Sequence, residues 1–122
     1  MPRGDEARVK AAFEYWLRAD GWTMTLLPEH GNHPDIDAHH VSHGRLVAEV
    51  KGNVAPDNGT SLDIGYGQLL RRMGAGSSVR YALVVPDAAL AAALRVPADV
   101  RARLGIEVHA VDQDGTVRRV ED

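Results

Sequence analysis

Apolar residues recur at helical spacing near the start of the chain. Val9, Ala12, Phe13, Trp16 and Leu17 form one stripe and Gly21 stops it, which predicts an amphipathic helix over Asp5 to Asp20. Trp22 to Leu27 reads as a strand with Met24 and Leu26 on one face, ended by Pro28. Asp35 to Val41 and Arg45 to Lys51 flank Ser42-His43-Gly44, a three-residue turn in which Gly44 can take the left-handed conformation, so the two runs predict a hairpin. GNVAPDNGTS, from Gly52 to Ser61, has the composition of a flexible loop over the substrate side. Leu62 to Met73 then predicts a helix with Leu62, Tyr66, Leu69, Leu70 and Met73 as its core stripe, despite Gly65 and Gly67. The apolar run Arg80 to Val85, closed by Pro86, suits a buried central strand. Two short helices follow over 88–94 and 97–104, then a strand over Ile106 to Val111 and a turn at 112–115 into Thr116 to Val120. The result is one α/β domain over residues 1–122, in the order α-β-β-β-α-β with a helical stretch and two strands appended.

The hairpin gathers the chemistry. Pairing Val41 with Arg45 sets Asp37 opposite Glu49 and Asp35 opposite Lys51, and alternation puts all four on one face, with Leu46, Ala48 and Val50 on the other. A half-exposed strand would also alternate in this way. Against that alternative, Val47 lies between charges on the polar face, the opposing strand brings two more acids rather than lysines, and a glycine follows Lys51 directly. Carboxylates about 4–5 Å apart across a strand pair can share a hard cation such as Mg²⁺. A metal acidifies a bound water and steadies charge on a phosphoryl oxygen, while a lysine two residues from the glutamate can hold that water or the phosphate.

Pro34-Asp35 followed by Glu49-Val50-Lys51 resembles the PD-(D/E)XK nuclease superfamily. The run Asp35-Ile36-Asp37-Ala38, Gly44-Arg45-Leu46-Val47, Glu49-Val50-Lys51 is similar to the hairpin of its Holliday-junction-resolvase-like branch. The resemblance covers residues 5 to 86 and implies a restriction endonuclease-like αβββαβ core, a mixed sheet flanked by helices, with the remainder as a C-terminal extension. It implies Mg²⁺-dependent hydrolysis of DNA, with Mn²⁺ as a substitute. In that family a glutamate of the first helix often reaches the metal, which makes Glu6 the first candidate and Glu14 the second; the other reading of Glu6 is an N-terminal glutamate favoured by the helix dipole. A glutamine from the helix after the Glu-x-Lys strand often joins the site, and Gln68 stands where that pattern expects it. Cross-strand counting favours Asp37 as the partner of Glu49. The family arrangement favours Asp35, because strand twist and a bulged turn can carry a carboxylate diagonally by one step. Asp35 is therefore expected to ligate the metal with Glu49, and Asp37 to serve as an outer or second-metal acid.

Composition adjusts this picture only at its margins. The absence of cysteine excludes disulfides, Cys-based zinc sites and a thiol nucleophile. No apolar run approaches 18 residues and no charged-then-apolar leader opens the chain, so a soluble, cytoplasmic protein is expected. A net charge of −3 argues against a general nucleic-acid coat but not against a nuclease with an acidic site. Arg71 and Arg72 are candidates for phosphate contacts, or else a solvated basic helix end. His30, His33, His39, His40 and His43 show no fixed ligand spacing and read as a polar rim rather than a zinc site. No base-reading motif appears, so a structure-directed repair or recombination endonuclease is expected rather than a sequence-specific one. The alternative is a catalytically silent nucleic-acid- or protein-binding module on the same fold. Cutting both strands with one site per chain further predicts a homodimer, with Val117 and Val120 of the terminal hairpin as a contact.

Overall fold

The apolar run ending at Pro86 takes the position that its composition requires. In the computed structural model, which describes residues 2–52, 58–74 and 78–121, this run is the fourth of six strands, β4 (Val79–Pro86), covered on both faces. The strands before it are β1 (Thr23–Met24), β2 (Ile36–His40) and β3 (Gly44–Val50); those after it are β5 (Ile106–Val111) and β6 (Val117–Arg119). Strand order in the sheet follows the chain, β1-β2-β3-β4-β5-β6. β3, β4 and β5 run parallel, whereas β1, β2 and β6 are antiparallel to their neighbours, so the sheet is mixed.

Each face of the sheet has its own apolar layer. On one, α1 (Pro2–Ala19) lays Val9, Phe13 and Leu17 over Leu46, Ala48, Val50, Ala82 and Val84. On the other, α2 (Asn58–Arg72) lays Leu62, Tyr66 and Leu69 over Val47, Tyr81, Leu83 and Val85. A 3-10 turn (Asp87–Ala89) and α3 (Leu90–Ala93) complete that second layer, and α4 (Ala98–Leu104) leads through Gly105 into β5. No helix among the described residues is long and apolar enough to cross a membrane.

The structure shortens or shifts several predicted elements. The first strand pairs over two residues only, and Leu26, expected inside, is 98% exposed. The helix predicted from Leu62 begins at Asn58, so four residues of the expected loop are helical, and residues 53–57 of that loop lie outside the described residues. Leu70 is 43% exposed, and the helix instead presents Gly65 to the sheet beside Tyr66 and Leu69. Val117 is buried against the α1 layer, and Val120, half-buried, packs on the α2 layer.

A polar network not foreseen in the sequence fastens α1 to the β4–β5 half of the sheet. Arg80 donates to both carboxylate oxygens of Glu107 at 2.7 and 2.9 Å, and the buried His109 imidazole lies 3.0 Å from the same group. Burial pushes the Glu107 carboxyl up, but the hydrogen bonds from Arg80 and His109 overcome this and hold it down at about 2. The His109 ring in turn meets Phe13 and Trp16 edge-on, at centroid distances of 5.0 and 5.4 Å.

Two glycines of α2 separate packing from propensity. A Cβ at Gly65 would stand 2.8 Å from Cδ1 of the fully buried Leu83 and 3.0 Å from Cε of Lys51, whereas a Cβ at Gly67 meets nothing within 4 Å. Gly67→Ala is expected to stabilise the protein by up to about 1 kcal/mol, the usual gain in helix propensity. Gly65→Ala should lie about 1–3 kcal/mol below it, because the added methyl over-packs the helix against the sheet. Urea denaturation of the two variants measures the difference.

Candidate functional site

The hairpin turn decides which acids meet. Gly44, with φ of +78°, is itself paired with His40, so Val41, Ser42 and His43 form the turn. His40 braces it: its Nδ1 accepts the Ser42 N–H at 3.0 Å. The register therefore runs Ala38 to Leu46, Asp37 to Val47 and Ile36 to Ala48. This corrects the counted register by two residues. A two-residue shift leaves every side chain on its expected face but moves Asp37 away from Glu49 and brings Asp35, one position before Ile36, alongside it.

Asp35 is anchored where β2 begins: its Oδ2 accepts the backbone N–H of Val50 at 2.7 Å. That bond ties the entry of β2 to the end of β3 and aims the carboxyl at its neighbour. Glu49 is 2% exposed, and the two carboxyl groups are close enough to hydrogen-bond. Burial first, and then the adjacent Asp35 charge, push the Glu49 carboxyl up to about 7, while Arg72 works against both. A pair that strains against its own ionisation in this way is one that a divalent cation would relieve. Its oxygen donors suit a hard ion such as Mg²⁺ or Mn²⁺, and on these observations the residues fit such an ion.

Helix α2 supplies the complement. Lys51 donates from Nζ to Oε1 of Gln68 at 3.0 Å, so the glutamine nominated in the sequence does reach the lysine. The close approach at Gly65, next to the Lys51 stem, lets the helix sit low enough for that bond. One turn on, Arg72 donates from Nε to Oε2 of Glu49 at 2.7 Å and from Nη2 to the His33 carbonyl at 2.8 Å. The sequence suggested either phosphate contact or a solvated helix end for Arg72. Its bond to Glu49 depends on how α2 is aimed across β3, which periodicity does not encode.

The remaining candidates divide. Glu6 is an exposed residue of α1, yet its carboxyl is raised by partial burial and by the Asp35 charge and lowered by Lys51, so it lies within the field of the site. Glu14 lines a cavity of about 300 Å³ with Lys10, Arg18, Asp35 and Asp37. Asp37 is taken up by Arg45, which donates to both its oxygens at 2.8 and 2.7 Å and holds its carboxyl below the usual range. Arg71 lines a second cavity of about 400 Å³ beside Arg72, Tyr81 and His33.

At the turn end of the hairpin, Asp20, His40 and His43 bring potential ligand atoms within 4.8 Å of one another. His40 is a poor metal ligand as it stands. Its Nδ1 lone pair accepts from Ser42, and its Nε2, 2.8 Å from the Asp20 carbonyl, must donate there.

No family model matches this chain, and no curated protein matches it. Two solved structures share its fold. An XisH family protein from Nostoc punctiforme superposes with a TM-score of 0.63 at 18% identity, over 93% of this chain and 99% of that one. An fdxN element excision controlling factor protein from Anabaena variabilis does so with a TM-score of 0.57 at 16% identity, over 94% and 99%.

The strained acid pair carries a pH signature. A Glu49 carboxyl raised from 4.5 to about 7 binds its proton more tightly in the folded chain than in the unfolded one. Its contribution to stability is thus fully present below pH 4.5 and is lost as pH rises towards about 7. In EDTA, Glu49→Gln is expected to gain stability relative to the parent across that window. Thermal unfolding of both proteins at matched pH values tests this, and a constant difference between them would contradict it.

Proposed function

We propose that the chain is a metal-dependent nuclease of the PD-(D/E)XK type, hydrolysing phosphodiester bonds of DNA. One observation carries the reading: Asp35 and Glu49 adjoin at the end of the hairpin, with Lys51 beside them held by Gln68 from another element. Four residues from three elements converging on this chemistry are harder to obtain by chance than the short motif that first suggested it. The second structural neighbour is named for control of the excision of an element, a role that would suit a chain acting on DNA.

In this reading Asp35 and Glu49 hold Mg²⁺ or Mn²⁺, which when bound supplies an acidified water and a counter-charge for the phosphoryl oxygen. Asp35 is kept in place by the Val50 N–H, so its carboxylate needs little reorganisation. Lys51 presents its ammonium group from the strand that carries Glu49, and Gln68 fixes the rotamer by accepting one of its three protons. The other two remain for the attacking water or a phosphate oxygen. Glu6 approaches from α1 as an outer acid, and Arg71 faces the substrate backbone. The protein would act in the cytoplasm as a homodimer, joined at the terminal hairpin where Val120 is half-buried.

A second reading has a specific observation in its favour. Arg72 satisfies Glu49 with a buried ion pair, and a site completed by its own arginine could serve a silent binding module. Cleavage of single-stranded, duplex and branched DNA in Mg²⁺ or Mn²⁺ against EDTA separates the two readings. Lys51→Ala is expected to fold normally and to lose about 100-fold or more of the cleavage rate, as removal of a preorganised donor does elsewhere. Asp35→Asn should abolish metal-dependent cutting, while Asp37→Asn, which alters an acid already committed to Arg45, should leave measurable activity. Equal cleavage by parent and Lys51→Ala would remove Lys51 from the reaction centre, and absence of metal-dependent cleavage by the parent would exclude the nuclease reading.

A further inference from the structure

Arg72 stands in an unusual place for a residue at the basic end of a helix. Its guanidinium reaches back to a carboxylate that is 2% exposed, and its own side chain is only 19% exposed. A glutamate buried beside a second acid requires a counter-charge, and in the metal-free protein Arg72 provides it. The bond to Oε2 of Glu49, at 2.7 Å, engages one of the two carboxylate oxygens and sets a fixed positive charge where a cation on the same carboxylate would stand. Arginine and cation are therefore competitors for one group.

The geometry also says where a released Arg72 would go. Tyr81 donates its hydroxyl proton to the Arg72 carbonyl at 3.2 Å, which fixes the backbone and leaves the side chain as the moving part. That side chain already borders the cavity of about 400 Å³ lined by Arg45, Arg71, Tyr81 and His33. Arg45 is unavailable there because Asp37 holds it through both oxygens. The Arg71 guanidinium has no partner among the described residues, so the cavity presents one open guanidinium while Arg72 is on Glu49 and two once it lets go. Two planar donor forks on adjacent residues match the oxygens of a phosphodiester.

We infer that Arg72 is a resident counter-ion that yields Glu49 to a divalent cation and then joins Arg71 in a phosphodiester-binding subsite in this cavity. The inference rests on the metal-site reading of Asp35 and Glu49 and adds to it a coupling: cation and nucleic acid each strengthen the binding of the other, by the same factor. The arginine keeps the acid pair compatible with the fold when no cation is bound, and it reports cation occupancy to the substrate side.

The test needs no turnover. Mg²⁺ affinity is measured by calorimetry on the parent, Arg72→Gln and Arg71→Gln, and a short single-stranded oligonucleotide is titrated by anisotropy in Ca²⁺ and in EDTA. Arg72→Gln is expected to bind Mg²⁺ about 10-fold more tightly or better, the equivalent of about 1.4 kcal/mol, and to unfold at a lower temperature in EDTA. Arg71→Gln removes the same charge one residue away without touching Glu49, and should leave Mg²⁺ affinity within about two-fold, since an exposed charge is largely screened. Ca²⁺ should raise oligonucleotide affinity in the parent and in Arg71→Gln but not in Arg72→Gln. Unchanged Mg²⁺ affinity in Arg72→Gln, or equal tightening in both variants, overturns the competition while leaving the metal site standing. Absence of Mg²⁺ binding in parent and Arg72→Gln alike overturns the metal-site reading and this inference together.

Discussion

Two carboxyl groups placed side by side, one of them sealed from water, form the constraint around which the rest of this domain is arranged. Like charges at such a distance oppose folding unless one is protonated or a cation stands beside them. The chain meets this demand from a different element in each case. A backbone N–H of β3 holds Asp35, Arg72 of α2 holds Glu49, and Lys51 lies beyond them with Gln68. The sheet brings the acids together, and the helix makes their meeting tolerable.

That division explains the packing of α2. A helix that must deliver both Gln68 and Arg72 to the end of β3 has to lie close to the sheet, and Gly65 permits the approach by giving its side-chain volume to Leu83 and the stem of Lys51. On the opposite face, α1 makes no such demand. It packs with ordinary aliphatic and aromatic side chains and is pinned by the Glu107, His109 and Arg80 network. The two layers thus do different work, one bearing the site and the other bearing the sheet.

Much of this arrangement was legible in the sequence, for identifiable reasons. Long periodic runs announced α1 and α2, and an uninterrupted apolar run announced β4, because pattern and burial are linked directly. Glu49 and Lys51 could be named from the alternation of the hairpin, whereas Asp35 over Asp37, and Gln68, came from the family resemblance. Register was harder. Whether Gly44 closes the turn or belongs to the ladder changes the partner of every residue, and only the placement of Val41 outside the pairing decides it. Arg72 and the Arg80–Glu107–His109 network were out of reach, since both join residues whose separation in the chain says nothing of their contact. Leu26 and Leu70 misled for the opposite reason: hydrophobicity suggested burial, and the geometry of a two-residue strand and of a glycine-faced helix denied it.

The strand order has a consequence for how the molecule comes into being. Every strand pairs only with its neighbours in the chain, yet the parallel pairs β3–β4 and β4–β5 close only through helical crossovers, so the most local contact in the sheet lies across the three-residue turn at Val41, Ser42 and His43. That turn belongs to the hairpin of β2 and β3, whose closure alone draws Asp35 towards Glu49. Their relief arrives only when α2 has coiled and docked, and a helix bearing Gly65 and Gly67 has little tendency to coil by itself. Electrostatic frustration is therefore built into the most local pairing of the sheet, and its discharge is left to a contact from a separate helix.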